Sequence, residues 1–172
     1  ILLALGFRCL TKNLAFVLIP IFFIYFFALS FDRLTTFSHP FRVWNEAVVL
    51  LEKKPQGDNI FGAYRIYYNR GSAELEGGMI DQALVDFDRV VKIQPDFAHA
   101  YHQRGVAYFK QKEWLKAQDQ FEKAISLLPT NIKSYLGLAE VLEASGQIEK
   151  ARDILRATCD RGSEFACKKM LR

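Results

Sequence analysis

Two of the three cysteines stand close together near the end of the chain, in "ATCDRGSEFACKKMLR", where seven residues separate Cys159 from Cys167. A dithiol redox pair of the thioredoxin type would be spaced CxxC, and a zinc site would need further ligands nearby. A structural disulfide is the first reading, with two free buried thiols or a metal as the alternatives. Cys9 stands alone and takes no role. His99 and His102 lie three apart, on one side of any helix that carries them. No neighbouring cysteine or carboxylate pair completes a ligand set, so they read as solvated or ligand-facing side chains. The chain holds no Gly-rich phosphate loop, no Ser/His/Asp signature and no HExxH. The residues therefore predict no catalysis, no cofactor and no metal.

The elements that must position these residues repeat. Three segments of 34 residues begin at Tyr64, Ala98 and Ile132 and can be laid one under another. The fourth position is aromatic in each (Tyr67, Tyr101, Tyr135), the eighth is small (Gly71, Gly105, Ala139) and the twentieth is alanine (Ala83, Ala117, Ala151). The twenty-fourth is large (Phe87, Phe121, Leu155), and Pro95 and Pro129 close the first two segments. Small residues at two fixed positions let a pair of helices approach closely, and large ones fill the remaining gaps. Two columns depart from the pattern. Arg70 and Arg104 stand at the seventh position, and Glu74 occupies the eleventh. An arginine can pack its stem and keep its charge in water. Asp86, Asp88, Glu140 and Glu143 are expected on solvent faces.

The spacing resembles the tetratricopeptide repeat (TPR), in which two antiparallel helices stack on the next pair. The resemblance implies an all-α solenoid of three helix pairs. Its first helices would line a concave groove that accepts an extended peptide or a partner's helix. Carried over residue by residue, the lining is Arg65, Tyr68, Asn69 and Ser72 from the first repeat, and His99, His102, Gln103, Val106 and Phe109 from the second. Lys133, Leu136 and Glu140 complete it from the third. Chaperone-binding TPR domains clamp a C-terminal carboxylate with lysines and asparagines. Tyr68 and Ser72 stand where the first repeat's clamp residues would be, so that activity is not carried over. After the last repeat, Gly162 suits a helix stop and Ser163 the next N-cap, beginning a short capping helix at "EFACKKML". Cys159 and Cys167 are each four residues from Ser163, and in a helical hairpin such residues face each other. The same interval resembles the helix-linking cysteine pairs of secreted bacterial TPR-like repeat proteins.

Composition divides the 172 residues unevenly: the apolar excess falls in the first third and the charge in the rest. Net charge is +4, with bases and acids interleaved, so no basic stripe suits nucleic acid. Leu14 to Phe31, "LAFVLIPIFFIYFFALSF", carries no charge. As a helix it would be about 27 Å long, enough to cross a bilayer core. Pro20 falls in its first turns, and Arg8 and Lys12 before it predict a cytoplasmic loop, sending the repeats to the periplasm or lumen. A cleaved signal peptide ending at Ala28-Leu29-Ser30 is the rival, with the same export. "ILLALG" reads as the end of an earlier span, and a chain that starts at Ile1 is processed or part of something longer.

The expected organisation is thus 1–13, a possible span end and basic loop; 14–31, a transmembrane helix; 32–63, a linker with a degenerate half-repeat helix; repeats at 64–97, 98–131 and 132–165; and a capping helix at 166–172. The apolar face of the half-repeat helix would be Val43, Ala47, Leu50 and Leu51. The expected function is a membrane-anchored scaffold that binds a protein or peptide partner. A weaker resemblance, through the last span, Arg33, Trp44 and Pro55, is to the tails of polytopic membrane O-glycosyltransferases that carry TPRs.

Overall fold

A computed structural model describes residues 40–170. The span expected at 14–31, the loop before it and the linker to residue 39 lie outside the described residues. Among the described residues, no helix is long and apolar enough to cross a membrane.

The described chain is helical throughout. Helix α1 covers Pro40–Glu52, and a single turn of 3-10 helix follows at Gly57–Asn59. Three pairs come next: α2 (Ala63–Glu76) with α3 (Ile80–Ile93), α4 (Ala98–Lys110) with α5 (Trp114–Leu127), and α6 (Ile132–Ala144) with α7 (Ile148–Asp160). Helix α8, Glu164–Met170, closes the array. Three residues join the helices of each pair and four join one pair to the next. Connections this short place consecutive helices side by side. The first helices of successive pairs also touch, α2 with α4 and α4 with α6.

Each pair turns by the same device. The backbone goes left-handed at Gly78 (φ 80°), at Lys112 (φ 62°) and at Gly146 (φ 81°). The next N–H then reaches five residues back: Met79 to Glu74 O at 2.8 Å, Glu113 to Tyr108 O at 3.0 Å, and Gln147 to Leu142 O at 2.8 Å. These bonds satisfy carbonyls that a helix end leaves open. Gly162 repeats the turn between α7 and α8, with Ser163 N–H donating to Thr158 O at 3.2 Å.

The core follows the columns. Ala83, Ala117 and Ala151 are buried, as are Phe87, Phe121 and Leu155. A Cβ at Gly71 would come within 2.9 Å of the Phe87 ring, and one at Gly105 within 2.9 Å of Phe121. The glycines at the eighth position are therefore where a second helix lays an aromatic ring against the first.

Two expectations need correcting. In α1 the inward residues are Val48 and Leu51, packed with Ala63, Tyr67 and Val90, while Leu50 is 63% exposed. Leu51 is inward as expected and Val43 and Ala47 are half-buried, so the correction falls on Leu50, in whose place Val48 joins the cluster with Tyr67. Asp86 is not on a solvent face but 1% exposed, and it accepts two hydrogen bonds from Arg70, Nε to Oδ2 at 2.6 Å and Nη2 to Oδ1 at 2.7 Å. The Arg70 charge is consequently paired inside rather than held in water, with Glu74 also buried beside it. Helix α8 begins at Glu164, where Ser163 Oγ accepts from the Ala166 N–H at 3.3 Å.

Candidate functional site: a cavity between the first helices

The first helices of the second and third pairs frame an apolar cavity of about 340 Å³. His102, Val106 and Phe109 come from α4, and Lys133, Leu136, Gly137 and Glu140 from α6. Phe121 of α5, itself buried, lines its floor and Phe165 of α8 stands at its rim. Six of the twelve residues expected along the groove meet here: His102, Val106, Phe109, Lys133, Leu136 and Glu140.

The other six lie elsewhere. Tyr68 is half-buried, with its ring edge-on to Phe97 at 5.2 Å and tilted to Phe87 at 6.1 Å. Burial pushes its phenol pKa up. Ser72 donates to the Tyr68 carbonyl at 2.8 Å and accepts from Gln103 Nε2 at 3.3 Å, which joins α2 to α4. Asn69 is half-buried, and Arg65 is exposed with its Nε donating to the Tyr64 hydroxyl at 3.1 Å. His99 is exposed and stacks edge-on against Phe97 at 5.5 Å.

His99 and His102 thus do not act as a pair. The His102 ring packs against Phe121 at 5.4 Å, and Nδ1 lies 3.1 Å from Ser134 Oγ. Ser134 Oγ also accepts from Asn131 Nδ2 at 2.9 Å. Burial, reinforced by the His99 and Lys133 charges, lowers the His102 pKa to about 4, so the imidazole is neutral. It serves as a wall of the cavity and a bridge between α4 and α6. Among the described residues no three His, Cys, Asp or Glu side chains converge to hold a metal ion.

Gly137, Phe121 and Phe165 are the lining residues that the sequence reading missed. Gly137 left a signal: the sixth position holds Asn69 and Gln103 in the other repeats. A Cβ at Gly137 would sit 2.6 Å from the Phe121 ring, so only glycine leaves the floor open. Phe165 reaches the rim because α8 is tied down. The sulfurs of Cys159 and Cys167 are bonded, with the Cα atoms 4.8 Å apart. Ala166 is buried with Ala139 and Leu155, and Lys169 Nζ lies 2.9 Å from Glu143 and 3.8 Å from Glu140. Glu140 and Glu143, expected on solvent faces, remain partly exposed there and pair with Lys169 of α8.

A second hollow, of about 600 Å³, lies among Glu52, Asp58, Tyr67, Arg89 and Lys92. Its charges are largely spent on each other: Arg89 pairs with Glu52 and covers the Tyr67 ring, and the Tyr67 hydroxyl donates to Asp58 at 2.8 Å.

The helix pairs form a solenoid like that of tetratricopeptide-repeat domains. TPR family models match residues 71–112, 98–131 and 120–153. Over 93 residues the chain is 33% identical to DnaJ homolog subfamily C member 3 of Rattus norvegicus, covering 54% of this chain and 17% of that protein. It is 28% identical over 87 residues to the Hsp70-Hsp90 organizing protein of Triticum aestivum, covering 51% and 14%. The chain therefore spans about a sixth of these relatives' length. Among solved structures, MamA superposes with a TM-score of 0.56 at 25% identity over 60% of each chain. The first TPR of Spaghetti (RPAP3) bound to an HSP90 peptide superposes at 0.58 and 17% identity, over 62% of this chain and 89% of that one.

Proposed function

We propose that this chain is a membrane-anchored interaction scaffold whose repeats, divided at 64–97, 98–131 and 132–165, hold a protein or peptide partner against the face formed by their first helices. One observation carries the reading: the face contains an open, mostly apolar cavity to which two successive first helices contribute, a concave setting of the kind ligands occupy. The matched relatives include a protein named as an organizer of two chaperones and one named a co-chaperone, and both names describe work done on other proteins. The anchor is residues 14–31, supported by their uncharged run. A repeat face on the periplasmic or lumenal side is supported by Arg8 and Lys12 and by the Cys159–Cys167 bond, which persists in oxidising compartments. As the tail of a polytopic glycosyltransferase the chain would keep the same role, docking rather than chemistry.

The test is capture of a specific protein by the detergent-solubilised full chain. Leu136→Lys places a charge in the cavity, and Leu115→Lys alters a residue that is 81% exposed on a second helix. Capture should fall with the first and persist with the second. Equal capture by Leu136→Lys and the unaltered chain would move the binding surface elsewhere.

A further inference from the structure

The cavity has a chemistry of its own. Its volume is at the lower end of the range for ligand sites, which suits one large side chain better than a cofactor. Val106, Phe109, Phe121 and Leu136 make it apolar. Its charged rim is asymmetric. Glu140 at one end shares Lys169 with Glu143, whereas Lys133 makes no ion pair among the described residues. His102 beside it adds no positive charge of its own, being neutral.

The rim also depends on α8. That helix has seven residues, of which only Ala166 is fully buried, and so short a helix is marginal in water. Phe165 is 58% exposed, so it contributes a wall to the cavity and little to the folding of α8. The covalent link to α7 lies two residues beyond it, at Cys167.

We propose that this cavity is a socket for one bulky apolar side chain of an extended peptide with acidic residues beside it, walled by Phe165, and that the Cys159–Cys167 bond must be intact for the socket to be complete. The inference rests on the groove reading above and specifies its ligand. Lys133 meets the flanking carboxylate, while Phe109, Phe121 and Leu136 surround the apolar group. Reduction by a dithiol breaks the bond: two electrons and two protons pass to the two sulfurs, both leave as thiols, and the reductant closes to its cyclic disulfide. Helix α8 then keeps only Lys169 and a small apolar contact, and Phe165 leaves the rim.

The probe is the peptide Gly-Ser-Asp-Phe-Asp-Ser-Gly with 4-fluorophenylalanine at its centre, followed by fluorine NMR on the detergent-solubilised full chain. The oxidised protein should bind it at least tenfold more tightly than an alanine-centred control competes for the site. Exchanging both flanking Asp for Lys should weaken binding at least fivefold, and Lys133→Glu should reverse that preference. Dithiothreitol, with helicity checked by circular dichroism, should weaken binding at least fivefold, and so should Phe165→Ser with the bond intact. Equal competition by the alanine peptide, or no binding to the oxidised protein, overturns the socket. Unchanged binding after reduction and in Phe165→Ser overturns the role of the clipped wall. Either result leaves the groove reading to the Leu136→Lys capture experiment, which fails only if no partner uses this face.

Discussion

The first and third helix pairs solve one packing problem with opposite chemistry. At the seventh, eleventh and twenty-third positions of the repeat the third pair places Leu138, Leu142 and Ile154, and all three join one apolar cluster. The first pair places Arg70, Glu74 and Asp86 at those positions. There the guanidinium bridges to Asp86, Glu74 lies 3.8 Å from it, and Asn45 of α1 accepts from Nη1 at 3.3 Å. The middle pair is intermediate, with Arg104, Tyr108 and Gln120, and Arg104 reaches out to Asp88 at 3.0 Å. The same backbone thus tolerates an ion cluster at one end and a leucine cluster at the other. Removing one member of the first pair's cluster is costly, because a buried charge without its partner carries the full cost of desolvation.

That contrast can be broken most severely at Asp86. Asp86→Ala leaves Arg70 and Glu74 facing an empty space and should cost about 3 kcal/mol, read as a lower urea midpoint by circular dichroism. Making the first pair like the third, with Arg70→Leu, Glu74→Leu and Asp86→Ile together, should be neutral or stabilising. A triple variant less stable than Asp86→Ala would mean the ion cluster fits a space that leucines cannot fill.

A smaller loss is expected at the other end. Gly137→Ala puts a Cβ against the Phe121 ring and should cost about 1–3 kcal/mol by overpacking. The same measurement reads it, and an unchanged midpoint would show that the ring can withdraw.

The two regions should also answer pH in opposite senses. Burial first, and then the Asp86 charge, raise the Glu74 pKa from 4.5 to about 7. The folded chain therefore holds a proton that the unfolded chain releases, and stability from this group falls as pH rises from 4.5 to about 7. His102 is lowered from 6.5 to about 4, so the unfolded chain takes up the proton first, and stability falls as pH drops from 6.5 to about 4. Subtracting the pH profile of Glu74→Gln from that of the unaltered chain should expose the first slope, and His102→Gln the second. Two slopes of the same sign would contradict the burial of one of these groups.

The smallest effect expected is a gain. Lys112 holds the left-handed position that glycine takes in the other two pairs, and Lys112→Gly should stabilise by about 0.5–1 kcal/mol. No change in midpoint would mean that the added freedom of the unfolded chain cancels the relief.

Much of this was legible in the sequence because close packing of two helices demands particular sizes at particular intervals. Gly71, Gly105, Ala117 and Phe121 could be placed from spacing alone. Sequence reasoning failed where a side chain had two satisfactory environments. Arg70 could have kept its charge in water, and only the fold brings it to Asp86, sixteen residues on. Leu50 and Val48 in α1 both suit an inward face, and the choice depends on Tyr67. Half of the expected groove residues converge on the cavity. The decisive one, Gly137, was visible only as a missing side chain in an aligned column.

Phe121 lies against two glycines at once, Gly105 within its own helix pair and Gly137 in the next. A ring keyed into both cannot be released by one pair while the other stays closed. For an array whose units otherwise meet only their neighbours, this sets the size of the cooperative block. The second and third pairs should exchange their slowest amide hydrogens together, as a single foldon, with no intermediate in which one has opened alone.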